Sequence, residues 1–288
     1  MTKQVIITSD SAADLPPQIR EEIGLRTVPL HIQSGDKSGL DGIGILPGDI
    51  YGAFRAHKTI PKTAAPSPEE LRVFFESFTR EGHAVVHIAL NSKFSASCQN
   101  AVIAAQEAEG EVCVVDCLNF CAGQGMLCAQ AGRLRDEGLP AAEIAQTLIR
   151  LREKVLGVYY LDALDFISRS GRCPGVVALG ANLLSLHPAV HFDGATGTNY
   201  IGKKYRGKSA QAAEAWLRDA AQKFLDTCDP ALCLLPRTPD IPPAVYEPIH
   251  SLAAQLLPGA GRLLAFPVGG LTVSHVGGGC FGLVGMAR

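Results

Sequence analysis

His83-Ala84-Val85-Val86-His87-Ile88-Ala89-Leu90-Asn91-Ser92-Lys93-Phe94-Ser95-Ala96-Ser97-Cys98-Gln99-Asn100-Ala101-Val102 is the stretch whose reading decides the fold. It begins as a short, nearly unbroken apolar run, the pattern of a strand covered on both faces. After a polar elbow the repeat becomes helical, because Cys98, Ala101, Val102 and Ala105 stand at i, i+3, i+4 and i+7 and mark one narrow apolar face. The elbow is therefore a strand-to-helix turn. In parallel α/β sheets such turns lie at the carboxyl ends of strands, where ligands bind, and a helix start offers unpaired N–H groups and a positive dipole end to an anion. Ser95 occupies the expected N-cap position. Capping alone would account for Ser92, Ser95 and Ser97, but a hydroxyl that caps can also face a ligand. The elbow is a candidate site, and its partners must come from elsewhere in the chain.

Outward from the elbow the amino-terminal half keeps the same alternation. Strands are expected over 5–8, 27–32 and 111–116, with a polar turn and a Pro-led helix after the first and a Gly-rich loop over 35–48. Helices are expected over 50–57, 122–137 and 141–156, and residues 62–66 run extended into Pro66. Ser67-Pro68-Glu69-Glu70 is a capping box with proline at the first helical position, so a helix starts there. Strands alternating with helices imply a mainly parallel sheet covered on both faces. Beyond Gly157 the rhythm changes. Strands over 158–161 and 189–192 flank a helical, Gly-containing segment, and Asp193-Gly194 marks a hairpin into 200–205. Helices over 209–226 and 243–257 follow, with strands over 231–235 and 262–268; the Gly-rich run 269–279 leads to a last strand over 281–285. The expected fold class is α/β in two domains: residues 1–157 with a mainly parallel sheet, and residues 158–288 as an α+β domain with a mixed or antiparallel sheet.

Composition limits what such a chain does. With 288 residues, 47% hydrophobic and 19% charged, it can bury a large core, and a net charge of -2 gives no support for a nucleic-acid partner. The nine cysteines include no Cys-x-x-Cys pair, and the spacing of Cys113, Cys117, Cys121 and Cys128 matches neither zinc nor iron–sulfur ligation, so reduced, buried thiols in a cytoplasmic protein are expected. No secretory signal and no apolar run of the roughly 20 residues that span a bilayer is present, which points to a soluble chain. Gly197-Thr198-Asn199-Tyr200-Ile201-Gly202-Lys203 spells most of a phosphate-binding loop, but Lys204 stands where a magnesium-binding hydroxyl belongs and the surroundings read as a hairpin. His83 and His87 lie four apart along a strand, too far to share a metal. Neither a nucleotide site nor a metal site finds support.

The remaining motifs resemble those of the DegV family. They are Thr8-Ser9-Asp10-Ser11-Ala12-Ala13-Asp14-Leu15-Pro16, Lys62-Thr63-Ala64-Ala65-Pro66-Ser67-Pro68, Ser92-Lys93-Phe94-Ser95, Gly171-Arg172, Asn182-Leu183-Leu184 with Pro188, and His275-Val276-Gly277-Gly278-Gly279, in order from end to end. The resemblance implies a two-domain bacterial lipid-binding protein that holds one long-chain fatty acid between its domains, with no other cofactor and no metal. It implies the non-catalytic subunit of a fatty acid kinase, monomeric and cytoplasmic, which presents the carboxylate to a separate ATP-dependent kinase subunit. The acyl phosphate is then carried onward for phospholipid synthesis, with room for transient membrane contact. Carried over by motif, the carboxylate ligands are Thr63, Ser95 and His275, and the surrounding head-group region takes in Arg172, Ser92, Gly277 and Gly279. Three departures stand out. The family's Thr-Ser-Gln-Pro-Ser is Thr63-Ala64-Ala65-Pro66-Ser67 here, its Ser-Gly-Thr-Tyr is Ser95-Ala96-Ser97-Cys98, and Gly278 replaces the proline of its His-x-Gly-Pro-Gly turn.

Two other readings compete. An esterase or acyltransferase would use Ser95 as nucleophile with His275 as its base, and a small-molecule kinase would need the nucleotide motif that is missing. In the binding reading, tail burial dominates at about 0.8 kcal/mol per methylene, roughly 12 for a sixteen-carbon chain before entropic costs. The basic run Lys203, Lys204, Arg206 and Lys208 reads as a solvated hairpin edge. Within it, Arg206 and Lys208 are the expected contacts for an acidic, nucleotide-bearing kinase surface.

Overall fold

In the computed structural model, which describes residues 3–177 and 186–288, the deciding stretch forms strand β6 (Ala84–Ala89), every residue of it buried, followed by helix α4 (Ser97–Glu107). The elements before β6 are β1 (Val5–Asp10), α1 (Pro17–Glu22), β2 (Arg26–Val28), β3 (His31–Ser34), β4 (Lys37–Leu40), α2 (Pro47–His57), β5 (Lys62–Ala64) and α3 (Pro68–Thr79). After α4 come β7 (Val112–Asp116), α5 (Cys121–Asp136) and α6 (Ala141–Leu151). The second half holds β8 (Val155–Tyr160), α7 (Asp165–Ser170), α8 (Pro174–Val177), β9 (Leu186–Asp193), β10 (Thr198–Arg206) and α9 (Ser209–Thr227). It ends with β11 (Cys228–Arg237), α10 (Pro243–Leu256), β12 (Arg262–Pro267), α11 (Gly270–Val276) and β13 (Phe281–Ala287). The Asn182-Leu183-Leu184 motif lies outside the described residues.

The first sheet has the order β2-β1-β6-β7, all parallel, and β6 is an inner strand covered on both faces. Val86 and Ile88 pack toward α5 with Met126 and Leu127, while Val85 and Ala89 pack against Leu71, Phe75 and Cys98 of α3 and α4. Helix α4 begins two residues past Ser95, with Ala96 at the N-cap, and its buried face is Cys98, Ala101 and Ala104, with Val102 and Ala105 half-buried. The Ser67 capping box forms as expected: its hydroxyl accepts from the Glu70 N–H at 3.2 Å and the Glu70 carboxylate accepts from the Ser67 N–H at 2.7 Å.

Three boundaries differ from expectation. The strand expected over 27–32 is two strands in two sheets, because Pro29 has no N–H for the ladder; β2 ends beside Asp10, and β3 restarts between β4 and β5 in an antiparallel three-stranded sheet. The loop expected over 35–48 thus contains β4. The helix expected to reach 156 stops at Leu151, since the β-branched and aromatic run Val155–Tyr160 is taken up by pairing with β9 and β13. Gly157 therefore lies inside β8, paired to Val284 and Phe192.

The second sheet is mixed, with the order β10-β9-β8-β13-β11-β12, antiparallel throughout except for the β11–β12 pair. Its outer face is covered by α9 and α10 around Trp216, Phe224 and Leu283. Its inner face meets α5, which also packs on β1 and β6. Helix α5 is the layer shared by both sheets, and the β1–α1 turn reaches it so closely that a Cβ on Gly125 would collide with the Asp14 carbonyl. The fold is α/β, with an amino-terminal parallel sheet and a carboxyl-terminal mixed sheet. All nine cysteines are unpaired, and among the described residues no helix is long and apolar enough to cross a membrane.

Candidate functional site: a cavity between the two sheets

The carboxyl end of β6 is fixed by Asp10 at the carboxyl end of β1. Its carboxylate accepts from the Leu90 N–H at 2.7 Å, the Ala12 N–H at 3.1 Å and the Gln124 amide at 3.0 Å, and burial pushes its pKa up to about 6. Just beyond, the buried Asn91 donates to the Gly197 carbonyl at 2.9 Å, docking the β9–β10 hairpin onto the elbow. Ser95 follows, half-buried, with its hydroxyl accepting from the Ser97 N–H at 3.1 Å and donating to the Ser97 hydroxyl at 3.2 Å. Ser95 therefore supports the helix start as a serine turn, one residue before the N-cap. Ala96 has φ -74° and ψ -4°, ordinary right-handed backbone, so the glycine usual in the family is not required there.

Arg172 reaches the elbow from the second half: Nε donates to the Phe94 carbonyl at 3.3 Å and Nη1 to the Ser170 carbonyl at 2.6 Å, while Asn199 donates to the Arg172 carbonyl at 2.7 Å. Thr63 lies on β5, whose exit is tied to α4 by Asn100 donating to the Pro66 carbonyl at 2.7 Å. His275 lies on α11, within the glycine-rich run that reads as a loop in the sequence; Thr63 Oγ1 and His275 Nε2 are 3.2 Å apart across 212 positions of chain. Burial, and then the neighbouring Arg172 charge, lower the His275 pKa to about 4, so the imidazole is neutral at pH 7.

Thr63, Ser95, Arg172 and His275 all line one cavity of about 280 Å³, together with Leu30, Leu90, Phe120, Ile167, Val190 and Val276. That is near the lower end of the roughly 300–1,000 Å³ typical of small-molecule sites. These four side chains supply one permanent cation, a neutral imidazole and two hydroxyls, which suits a single monoanionic head. A second arginine of the lining, Arg237, donates to the Thr238 carbonyl at 3.4 Å and lies over the Tyr246 ring, and the remaining wall is predominantly apolar. Ser92 is exposed, with its N–H on Asp116 at 3.2 Å, and it does not line the cavity; nor do Gly277 and Gly279. Those two glycines form the turn after α11, where Tyr51 donates to the Gly277 carbonyl at 3.4 Å and Asp240 accepts from the Gly279 N–H at 3.3 Å. Asp240 also occupies the space a Cβ on Gly278 would need, which accounts for the missing proline. Arg206, at the end of the edge strand β10, and Lys208, at the start of α9, are exposed and away from the cavity lining.

The lining also contains Asn199, Thr238 and Thr272, which no motif singles out. Thr272 is committed elsewhere, donating to Asp14 at 2.5 Å. The bond an esterase needs is not made, since Ser95 is bonded to Ser97 while His275 faces Thr63, and among the described residues no carboxylate hydrogen-bonds His275.

A family model described as "Uncharacterised protein, DegV family" matches residues 4–287. The chain belongs to the DegV family. A DegV domain-containing protein of Caldanaerobacter subterraneus subsp. tengcongensis is 32% identical over 187 residues, a stretch that spans 65% of this chain and 66% of that relative. Among solved structures, this DegV chain superposes with a TM-score of 0.86 and 26% identity on one described as fatty acid binding of a DegV family protein from Thermus thermophilus, covering 99% of this chain and 100% of that one. A fatty acid (stearic acid)-binding protein of Eubacterium ventriosum shares the fold, with a TM-score of 0.84, 23% identity and coverage of 100% and 98%.

Proposed function

We propose that this DegV protein binds one long-chain fatty acid in the cavity between its two sheets, carboxylate toward Thr63, Ser95 and His275 and tail among the apolar lining. The supporting observation is the convergence of those three side chains and Arg172 at one apolar cavity, alongside a structural relative described as binding fatty acid. Tail burial at about 0.8 kcal/mol per methylene outweighs head-group bonds of about 1.5–3 kcal/mol each, so the tail holds the ligand and the head group sets its register. The protein then acts as the non-catalytic, cofactor-free subunit of a fatty acid kinase. As a cytoplasmic monomer in transient membrane contact, it presents the carboxylate to an ATP-dependent kinase subunit and carries the acyl phosphate away. Its two domains, whose expected division at Gly157 falls inside β8 and is therefore moved back to the turn Arg152–Lys154, hold the ligand between them, and exposed Arg206 and Lys208 steer the kinase's acidic face. Native mass spectrometry of the purified protein tests the reading. A non-covalent mass of a long-chain fatty acid is expected. A protein that carries no lipid and takes up no oleate would overturn it, and an acylated Ser95 would move the assignment to acyl transfer.

A further inference from the structure

The amino end of α11 is held by two carboxylates from the other half of the chain. Asp14 Oδ1 accepts from the Gly269 N–H at 2.7 Å and its Oδ2 accepts from the Thr272 hydroxyl at 2.5 Å. Asp41 Oδ1 accepts from the Leu271 N–H at 3.2 Å. Both side chains are buried, and a Cβ on Gly270 would lie 2.7 Å from Asp41 Oδ1, so glycine admits the carboxylate there. Asp14 faces Asp41, the Thr272 hydroxyl and the Cys121 thiol, with Arg20 acting only at longer range; Asp41 faces Asp14, the Ser11 hydroxyl and the N–H groups of Gly270 and Leu271. Two neighbouring buried carboxylates repel each other, and a helix start can be capped at lower cost by a single serine or asparagine. Their arrangement secures orientation. They grip Gly269, Leu271 and Thr272, and His275 is i+4 from Leu271 and i+3 from Thr272, hence on the same face one turn on. The helix is only seven residues long, so its rotation depends on this grip and on packing against α2, α7, β3 and β5.

We propose that Asp14 and Asp41 are positioning residues for fatty-acid binding: they clasp the amino end of α11 and thereby present His275 to the head group beside Thr63. This rests on the fatty-acid reading above, but its test does not depend on a ligand. In ligand-free protein, the His275 ring is followed by NMR across pH, assigned by its loss in His275→Gln, and oleate affinity is measured in parallel. In Asp14→Ala, α11 turns, the ring gains water, and its pKa rises from about 4 toward the ordinary value of about 6.5. Oleate affinity falls about tenfold, whereas Asp14→Asn, which keeps an acceptor for Gly269, stays within about threefold of the parent. Should Asp14→Ala not fold, Thr272→Val removes one bond of the clasp and must shift the His275 titration in the same direction. An unmoved His275 titration in a folded clasp variant overturns the proposal. A parent protein that binds no oleate defeats the fatty-acid reading instead, and the His275 titration still judges the clasp.

Discussion

The β6–α4 elbow and helix α11 each deliver a side chain to the same cavity, yet they are built in opposite ways. The elbow grows out of the middle of a parallel sheet, with its strand buried on both faces and its turn tied by Asp10 from the adjacent strand and by Ser95 to its own helix. Helix α11 has β-branched residues between glycines, a poor helix sequence, and its amino end is tied to Asp14 and Asp41, more than two hundred positions away. One short motif serves both. In Thr8-Ser9-Asp10-Ser11-Ala12-Ala13-Asp14, Asp10 fixes the elbow and Asp14 fixes α11. The difference teaches that the Ser95 side of the site grows out of the first sheet, with Asn91 and Phe94 adding ties to the second half, while the His275 side exists only when the two halves of the chain meet.

The largest expected effect breaks the elbow. Asp10→Ala leaves the buried N–H groups of Leu90 and Ala12 without their side-chain acceptor and takes from the Gln124 amide one of its three acceptors, and urea unfolding should show a loss of about 3–5 kcal/mol. A loss under about 1 kcal/mol would mean the turn holds its shape without Asp10.

A smaller effect probes the α11 side by pH. Burial, with the Asp14 charge adding to it, raises Asp41 to about 6 in the folded chain. Its folded value lies above its unfolded one, so the native state binds the extra proton between about pH 4 and pH 6, and the group's stability contribution is lost as pH rises through that window. Asp41→Asn removes that loss and should gain about 2–3 kcal/mol over the parent between about pH 4 and pH 7. His275 acts in the opposite sense: its folded value of about 4 is below the ordinary one, so its contribution is lost as pH falls. Parallel stability–pH curves for parent and Asp41→Asn would show that Asp41 does not titrate as a buried group.

The smallest effect compares the two hydroxyls. Truncating Thr63 or Ser95 to Ala should weaken oleate binding about tenfold to a hundredfold by titration calorimetry, with kinase-dependent phosphorylation reduced more than affinity. Only Ser95→Ala should also lower unfolding stability, by about 0.5–1 kcal/mol, because only Ser95 supports a helix start. Undiminished binding and phosphorylation in Ser95→Ala would reduce that residue to a helix support.

The sequence by itself determined what depends on neighbours along the chain. The apolar run of β6, the switch to helical spacing in α4, the Ser67 capping box and the 193–194 hairpin are all legible because their patterns repeat within a few residues, and the motif resemblance located Thr63, Ser95 and His275. Only the tertiary structure decided the rest. Pro29 breaks the ladder within 27–32, but which sheet each part joins, that Val155 belongs to a strand and that 270–276 is a helix follow from hydrogen-bond partners that lie far off in sequence. The neutral His275 follows the same logic. Burial at the junction of the two halves and the charge of Arg172, a hundred positions away, set its protonation. Neither condition exists until the chain has folded around the cavity, since desolvation and Coulomb interaction act through space and not along the sequence.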